Sequence, residues 1–471
     1  MFCVHFENLG CRLNQNETEG LANYFVEAGF SLYKSGSDPA SVILVFVNTC
    51  TVTAKAEQKC RRVIRSCVKK FPAALILVSG CYAQLEKNTI EKISSSVLAF
   101  PGLKKGALAQ FPRYLCTELE KNTQANTGIP MSLMKGIFEQ FVFQLRDMGK
   151  NNGGTGLQSA KSESFLSENA IGTAEYAFDL ATRNFAFHSR ASLKVQDGCN
   201  SACSFCRIRI ARGKSVSLEA DEALKRARSI EAAGKHEIVL TGVNLSQYRA
   251  NGINFSTLLS LLVEGTEHVK FRISSFYPEG VNEEFLRAIR HERICPYIHL
   301  SVQSGSERIL KLMKRPNNVA HIYEACIKLR EIKPDIFLGA DIITGFPSET
   351  DEDFEKTFQL CEKVGFEHIH SFPFSPRPDT EAFYLRPQVP ERVAGERLAR
   401  LEKLSRQNYE RYVHRVEGKI FTGIVENFRD GKKVLTENYL LLPLKEKKNA
   451  ENLNSGAQVQ VKIACGFAEL C

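Results

Sequence analysis

From Ser192 onward, short apolar runs and helical patterns take turns along the chain. The strand-like runs are "SLKVQDG", "HEIVLTG", "VKFRISS", "PYIHLSVQ", "FLGADIITGF" and "HIHSFPFS", and patterns such as "LEADEALKRARSIEAAG" and "DEDFEKTFQLCEKVG" lie between them. A helix-length crossover returns the chain to the same end of a sheet, so strands joined this way run parallel. Six βα units in sequence predict a partial or complete barrel, with its chemistry at the carboxyl ends of the strands.

A shorter alternation precedes it. The runs "SVILVFVNTC" and "AALILVSGCY" sit among the helical patterns "ETEGLANYFVEAG" and "AEQKCRRVIRSCVKK", which predicts an α/β domain with a largely parallel sheet. Ligands collect at the carboxyl ends of such strands, and here Cys50 and Cys81 stand there. Residues from about 121 to 188 are rich in Asn, Gly and Ser, as in "KNNGGTGLQSAKSES", and read as a linker or insertion. After the barrel, the polar helix "PERVAGERLARLEKLSRQNYERYVHR" leads into "GKIFTGIVENFRDGKKVLTENYLLLPL" and "AQVQVKIACG", short alternating strands with an "RDG" turn. They predict a small antiparallel barrel. The expected domains are 1–120, 121–188, 189–410 and 411–471 of a chain of 471 residues, too long for one ordinary core.

Composition narrows the class. Apolar residues at 43% and charged residues at 24% suit a globular protein, and no apolar run approaches the roughly 20 residues of a membrane span. The start "MFCVHFENLGCRLNQNE" has neither the basic flank nor the apolar core of a signal peptide, so a cytoplasmic location is expected, with no membrane partner. Fifteen cysteines in that compartment point to metal or catalytic sulfur in place of disulfides. The formal charge of +9 leans towards a polyanion such as nucleic acid.

The densest sulfur lies in "VQDGCNSACSFCRIRIARG", where Cys199, Cys203 and Cys206 follow C-x3-C-x2-C spacing. Zinc sites are usually closed by four ligands, and no second C-x2-C pair or H-x3-H partner stands nearby, although a fourth ligand from far along the chain keeps structural zinc open. Three thiolates suit a 4Fe-4S cluster with one iron left for a small molecule. Just after the first barrel strand, this stretch closely resembles the radical S-adenosylmethionine (SAM) enzymes. The resemblance implies an open iron that chelates the methionyl end of SAM and an electron that cleaves it to a 5′-deoxyadenosyl radical.

Three further cysteines fall at turns after apolar runs, beside Gly or Asn: Cys11 in "LGCRLNQNETEG", Cys50 in "VNTCTVTAKAEQKCRR" and Cys81 in "VSGCYAQ". Taken singly, each is readable as a small buried hydrophobe. Together with "VQDGCNSACSFC" and the terminal barrel they resemble the methylthiotransferases. That family joins an N-terminal α/β cluster domain, a central radical SAM (β/α) partial barrel and a C-terminal small antiparallel β-barrel of the TRAM type. The resemblance implies a second 4Fe-4S cluster on Cys11, Cys50 and Cys81, with its open iron for exogenous sulfur. The other nine cysteines, Cys60, Cys67, Cys295, Cys465 and Cys471 among them, read as structural. By the same resemblance Gln303 and Ser304 of "HLSVQSGSERILKLMKR" contact SAM, Gly345 of "GADIITGFPSETDEDF" lets the backbone approach its adenosine, and Arg377 contacts RNA or SAM. Thr241 of "LTGVNLSQY" either faces the pocket or caps a helix.

Members of the family act on tRNA adenosine at position 37 or on a ribosomal protein aspartate. The Cys11 and Cys50 motifs resemble the subgroup specific for N6-threonylcarbamoyladenosine more than that for N6-isopentenyladenosine. The implied function is methylthio addition to carbon 2 of the former, with the tRNA anticodon arm as partner; the isopentenyl and ribosomal-protein activities are the alternatives. A non-catalytic Fe–S or zinc RNA-binding protein is the reading from another class. RNA contact is also expected from Lys59, Arg61, Arg62, Arg65, Lys69 and Lys70 on one helix. In the terminal barrel, Lys419, Arg429, Lys432, Lys433, Asn438 and Tyr439 offer charge and a stacking ring.

Overall fold

A computed structural model describes residues 2–122, 129–151, 176–182, 184–428, 430–445, 453–464 and 466–471. The chain forms two compact units, one of residues 1–186, 197–199 and 207–216, the other of residues 187–196, 200–206 and 217–471.

The first unit is built on a parallel sheet of β1 (Cys3–Asn8), β2 (Ser31–Leu32), β3 (Val42–Thr49), β4 (Leu75–Gly80) and β5 (Val97–Ala99), in the order β2-β1-β3-β4-β5. All eight residues of the central strand β3 are buried, because both faces of the sheet are covered. Around it run α1 (Arg12–Glu27), α2 (Ala54–Lys70), α3 (Cys81–Leu85), α4 (Lys87–Glu91), α5 (Phe111–Asn122), α6 (Met131–Asn151) and the short α7 (Ile208–Arg212). Thr53 caps α2 by accepting from the Ala56 amide at 3.1 Å, and Glu57, Cys60, Ile64 and Cys67 give that helix its buried stripe. One side of the sheet packs Phe25, Phe46 and Leu77 against Phe111, Phe138 and Phe141; the other packs Val45, Val47 and Val78 against Ile64 and Cys67.

Helix α6 lies inside the stretch read as a linker. Its Met134, Ile137, Phe138, Phe141 and Leu145 are buried at helical spacing, a short apolar face flanked by the Asn- and Gly-rich residues that dominated the composition. Residues 123–128 and 152–175 of that stretch lie outside the described residues.

In the second unit the six expected strands are present: β6 (Ala191–Lys194), β7 (Glu237–Thr241), β8 (Lys270–Ile273), β9 (Tyr297–Gln303), β10 (Phe337–Thr344) and β11 (His368–Pro373). They pair in parallel as β8-β7-β6 and β9-β10-β11, and bridges at Phe271–Ile294 and Phe276–Leu300 connect the two triplets. Among the described residues β6 and β11 end the series without pairing to each other, so the barrel is partial. The connecting helices are α8 (Ala220–Ala232), α9 (Phe255–Glu264), α10 (Glu283–Ile289), α11 (Glu307–Leu312), α12 (Val319–Ile332) and α13 (Asp351–Val364), with α14 (Glu391–Arg415) along the edge strand β11. A Thr350–Asp353 capping box starts α13.

The chain ends in an antiparallel sheet of β12 (Ile420–Phe428), β13 (Gly431–Thr436), β14 (Leu441–Pro443), β15 (Gln458–Ala464) and β16 (Phe467–Leu470), ordered β14-β13-β12-β15-β16. Its core is continuous with the barrel: Val425, Val434 and Val461 pack with Tyr297, Phe337 and Tyr412. Two residues expected to meet RNA serve this junction instead. The Tyr439 ring stacks on Tyr297 at 3.9 Å between centroids, and buried Asn438 donates to the Tyr412 hydroxyl at 2.8 Å. Arg272 adds a clasp, holding Glu237 through two bonds of 2.8 and 2.7 Å and donating to the carbonyls of Glu437 and Thr436. Arg429 and Cys465 lie outside the described residues.

Candidate cluster and cofactor sites

In the first unit, β1, β3 and β4 are neighbours in the sheet, and the loops after them carry Cys11, Cys50 and Cys81. Parallel strands put those loops at one sheet edge, which brings together residues 70 positions apart in sequence. Cys11 is the exposed N-cap of α1, while Cys50 and Cys81 are buried, Cys81 as the first residue of α3. The loops are tied to one another. Asn14 donates to the carbonyls of Leu9 and Thr49, both at 3.0 Å, and the Thr49 hydroxyl donates to Ser79 O at 2.6 Å while accepting from the Ala83 amide at 3.2 Å. Gly80, at φ +102°, has no room for a side chain: a Cβ there would stand 2.4 Å from Thr49 O.

Burial pushes the Cys50 thiol up to about 12, and the Cys81 and Cys11 sulfurs push it the same way, so the three sulfurs feel one another. Burial also raises Cys81, against the pull of Arg212. Buried thiols of this kind are inert as thiols. They become thiolate ligands when a metal supplies the positive charge, so the donor set suits an iron–sulfur cluster better than acid–base or nucleophilic work.

Beneath the sulfurs lie charged groups that no sequence motif marked. The Arg212 side chain is 8% exposed; its Nε stands 3.3 Å from Cys81 Sγ, and its other nitrogens reach Glu17 at 3.1 Å, Asp197 at 3.0 Å and Asn14 at 2.7 Å. Buried Lys105 pairs with Glu17 and donates to Asn48 Oδ1 at 3.0 Å. Arg207 pairs with Glu57 at 3.0 Å. Both arginines lay in view within "CRIRIARG", but nothing in their spacing says that they fold against Cys81 and Glu57 of the N-terminal sheet.

Cys199 also belongs to the first unit, where its amide donates to Gly213 O at 3.1 Å. Cys203 and Cys206 belong to the second, where the Cys206 amide donates to Cys203 O at 3.2 Å. Their loop is anchored by Ser204, whose hydroxyl donates to Leu312 O at 2.7 Å and whose carbonyl accepts from Ala382. Arg315, also unforeseen, stands 3.7 Å from Cys203 Sγ, lies 4.1 Å over the Tyr277 ring and donates to Ser301 O.

Thr241 ends β7 and Gln303 ends β9. Thr241 Oγ1 and Gln303 Oε1 are buried and have no protein partner among the described residues, and Gln303 holds the left-handed region at φ +74°. Polar atoms buried in this way at strand carboxyl ends fit a polar cofactor such as SAM. Ser304 sits differently: its hydroxyl meets Thr357 Oγ1 at 3.2 Å and the Ser306 amide at 3.1 Å, building the turn. At Gly345, φ is +70° and a Cβ would stand 2.6 Å from Ala394 Cβ, so the close approach seen there is to α14. Arg377 is buried. On α2, Lys59, Arg62, Arg65, Lys69 and Lys70 are exposed, whereas Arg61 donates to the Tyr82 hydroxyl at 2.7 Å.

The profile of the Radical SAM superfamily matches residues 193–361, and that of the Uncharacterized protein family UPF0004 matches residues 3–102. The chain is 45% identical to the threonylcarbamoyladenosine tRNA methylthiotransferase MtaB of Treponema pallidum, over 98% of each protein. It is 32% identical to the protein of that name from Aquifex aeolicus, over 93% of this chain and 95% of the relative. The tRNA-2-methylthio-N(6)-dimethylallyladenosine synthase of Helicobacter acinonychis is 30% identical over 98% of this chain and 96% of its own. Among solved structures, the radical SAM methyltransferase TsrM of Kitasatospora setae shares the fold at TM-score 0.51 and 14% identity, over 81% of this chain and 77% of that one.

Proposed function

This chain belongs to the methylthiotransferase family of radical SAM enzymes, and we propose that it adds a methylthio group to carbon 2 of N6-threonylcarbamoyladenosine at position 37 of tRNA. The reading rests on the 45% identity, over 98% of each protein, to a relative named for that nucleoside. An aromatic C–H carbon is no electrophile at neutral pH, so acid–base groups alone do not place sulfur on it. When bound, a 4Fe-4S cluster on Cys199, Cys203 and Cys206 supplies reductive cleavage of SAM, and a second on Cys11, Cys50 and Cys81 supplies a place for sulfur.

The chain's own residues do the rest. Thr241 and Gln303 offer the polar atoms that orient SAM, and Arg315 beside Cys203 and Arg212 beside Cys81 set the charge around each sulfur set. The buried ion pairs of Arg212 and Lys105 hold the Cys11, Cys50 and Cys81 loops rigid. The exposed cations of α2 suit the phosphates of an anticodon arm, and the enzyme would work where tRNA is, in the cytoplasm.

Mass spectrometry of tRNA nucleosides from cells lacking the gene tests the assignment. Loss of 2-methylthio-N6-threonylcarbamoyladenosine is expected. Loss of the isopentenyl derivative instead would transfer the enzyme to the sister activity, and unchanged tRNA with an unmodified ribosomal aspartate would remove it from tRNA altogether.

A further inference from the structure

Three adjacent strands of the partial barrel carry a polar cluster that the cysteine chemistry does not use. On β9, β10 and β11 alternate residues point to opposite faces. Ile298, Leu300, Leu338, Ala340 and Ile342 are fully buried, whereas His299, Asp341 and His370, on the other face, stay partly open. Asp341 lies in register with His370, and one of its oxygens stands 2.8 Å from His370 Nδ1 and 3.0 Å from His299 Nε2. Gly339 is opposite His299 in the sheet, and a Cβ there would stand 2.4 Å from the imidazole. The glycine thus clears the way for His299 to reach across its neighbouring strand.

The cluster divides its charges unevenly. Burial opposes ionisation of Asp341, but His299 and His370 outweigh it and hold the carboxyl well below its usual range. The Asp341 bond in turn raises His370. Burial and the neighbouring imidazoles lower His368 to about 4, which leaves it neutral. The His370 side chain is 61% exposed, and with Nδ1 committed to Asp341 its other ring nitrogen is the one available for a ligand. A cavity of about 440 Å³ opens beside it, lined by His368, His370, Ser371 and Tyr409 with Arg406 between Glu402 and Glu410. Among the described residues Arg406 has no ion-pair partner, and its guanidinium shares this space with the carboxylates of Glu402 and Glu410.

We propose that His370, oriented by Asp341, binds the carboxylate of the substrate's threonylcarbamoyl group and is the residue by which the barrel selects a carboxylate-bearing nucleobase. The proposal rests on the substrate reading given above. The Asp341 bond favours the protonated ring, and a ring N–H aimed at a carboxylate forms a charge-assisted hydrogen bond, so a site built around such a donor rejects an analogue that lacks the acceptor charge.

The test uses anticodon-arm RNAs bearing the threonylcarbamoyl group either as the free acid or as its methyl ester, assayed with the cluster-loaded full-length enzyme. The wild type is expected to favour the acid by about 10- to 100-fold in kcat/KM, mostly through KM, the range for one hydrogen bond to a charged group. In His370→Gln the preference should fall to within about 3-fold, and Asp341→Asn, which lets the ring swing, should lower it too. The exposure of His370 makes its Gln variant tolerable to the fold. Equal use of acid and ester by the wild type would overturn the proposal while leaving the substrate assignment intact. So would a full acid preference kept by both variants. Failure of the wild type to modify the acid arm at all would strike the substrate assignment instead.

Discussion

Replacing Arg212 by Met removes a guanidinium that bonds Glu17, Asp197, Asn14 and Cys81 from a site with 8% side-chain exposure. Met matches the length of the aliphatic stem, so packing changes little and the loss is electrostatic. Removing one partner of a buried ion pair costs about 3–5 kcal/mol, because the carboxylates stay in place without their counter-charge. Lys105 still pairs with Glu17 and the Gly198 amide still donates to Asp197 at 2.7 Å, which puts the cost near the lower end, about 3 kcal/mol. For a unit of this size each kcal/mol moves the midpoint by about 2–4 °C, so the first unit should melt about 6–12 °C lower. Anaerobic calorimetry of the cluster-free protein reads this, with Arg212→Lys falling between because a single ammonium cannot reproduce the fork. A midpoint within about 2 °C of wild type would refute the reasoning and show that the network carries no net stabilisation.

Ala at Cys199, Cys203 and Cys206 should abolish SAM cleavage, whereas Ala at Cys11, Cys50 and Cys81 should leave about four of eight irons and retain 5′-deoxyadenosine formation without methylthio product; eight irons in the second variant would overturn the two-cluster assignment. Reversing charge at Lys59, Arg62 and Arg65 should weaken tRNA binding and flatten the slope of log K against log salt by about 0.7–0.9 for each phosphate that is no longer neutralised, and an unchanged slope would remove α2 from the RNA surface. Burial alone would raise Glu237, but Arg272 and then Arg190 hold it at about 2 against an ordinary 4.5. A depressed carboxyl stabilises above its unfolded value, so this contribution of about 3 kcal/mol is present above pH ~4.5 and lost as pH falls towards 2. Glu237→Gln should flatten acid unfolding in that window, and an acid midpoint identical to wild type would count against the clasp.

The terminal sheet shows where sequence reading reached its limit. Its strands were legible from alternation and the "RDG" turn, yet Asn438 and Tyr439 looked like exposed RNA contacts because polarity and aromaticity in a strand loop say nothing about what faces them. In the fold they meet Tyr412 and Tyr297. Removing the sheet from residue 416 therefore uncovers the floor of the barrel, and a loss of tRNA affinity in such a truncation would not by itself locate an RNA site. Ser304 and Gly345 show a related limit, since a serine or glycine after a strand serves a turn as readily as a ligand.

Local chemistry in the chain determined the alternation of strand and helix, hence parallel sheets, and it set three cysteines apart by their C-x3-C-x2-C spacing and drew notice to three more by the turns around them. Those properties depend on residues within a few positions of one another. Tertiary structure alone decided which loops share an edge and which charges meet in the interior: Arg212 against Cys81 across 131 positions, Arg207 against Glu57 across 150, and Asp341 between His299 and His370 on separate strands. A buried charge is stable only beside its partner, and no local pattern records which distant residue that partner is.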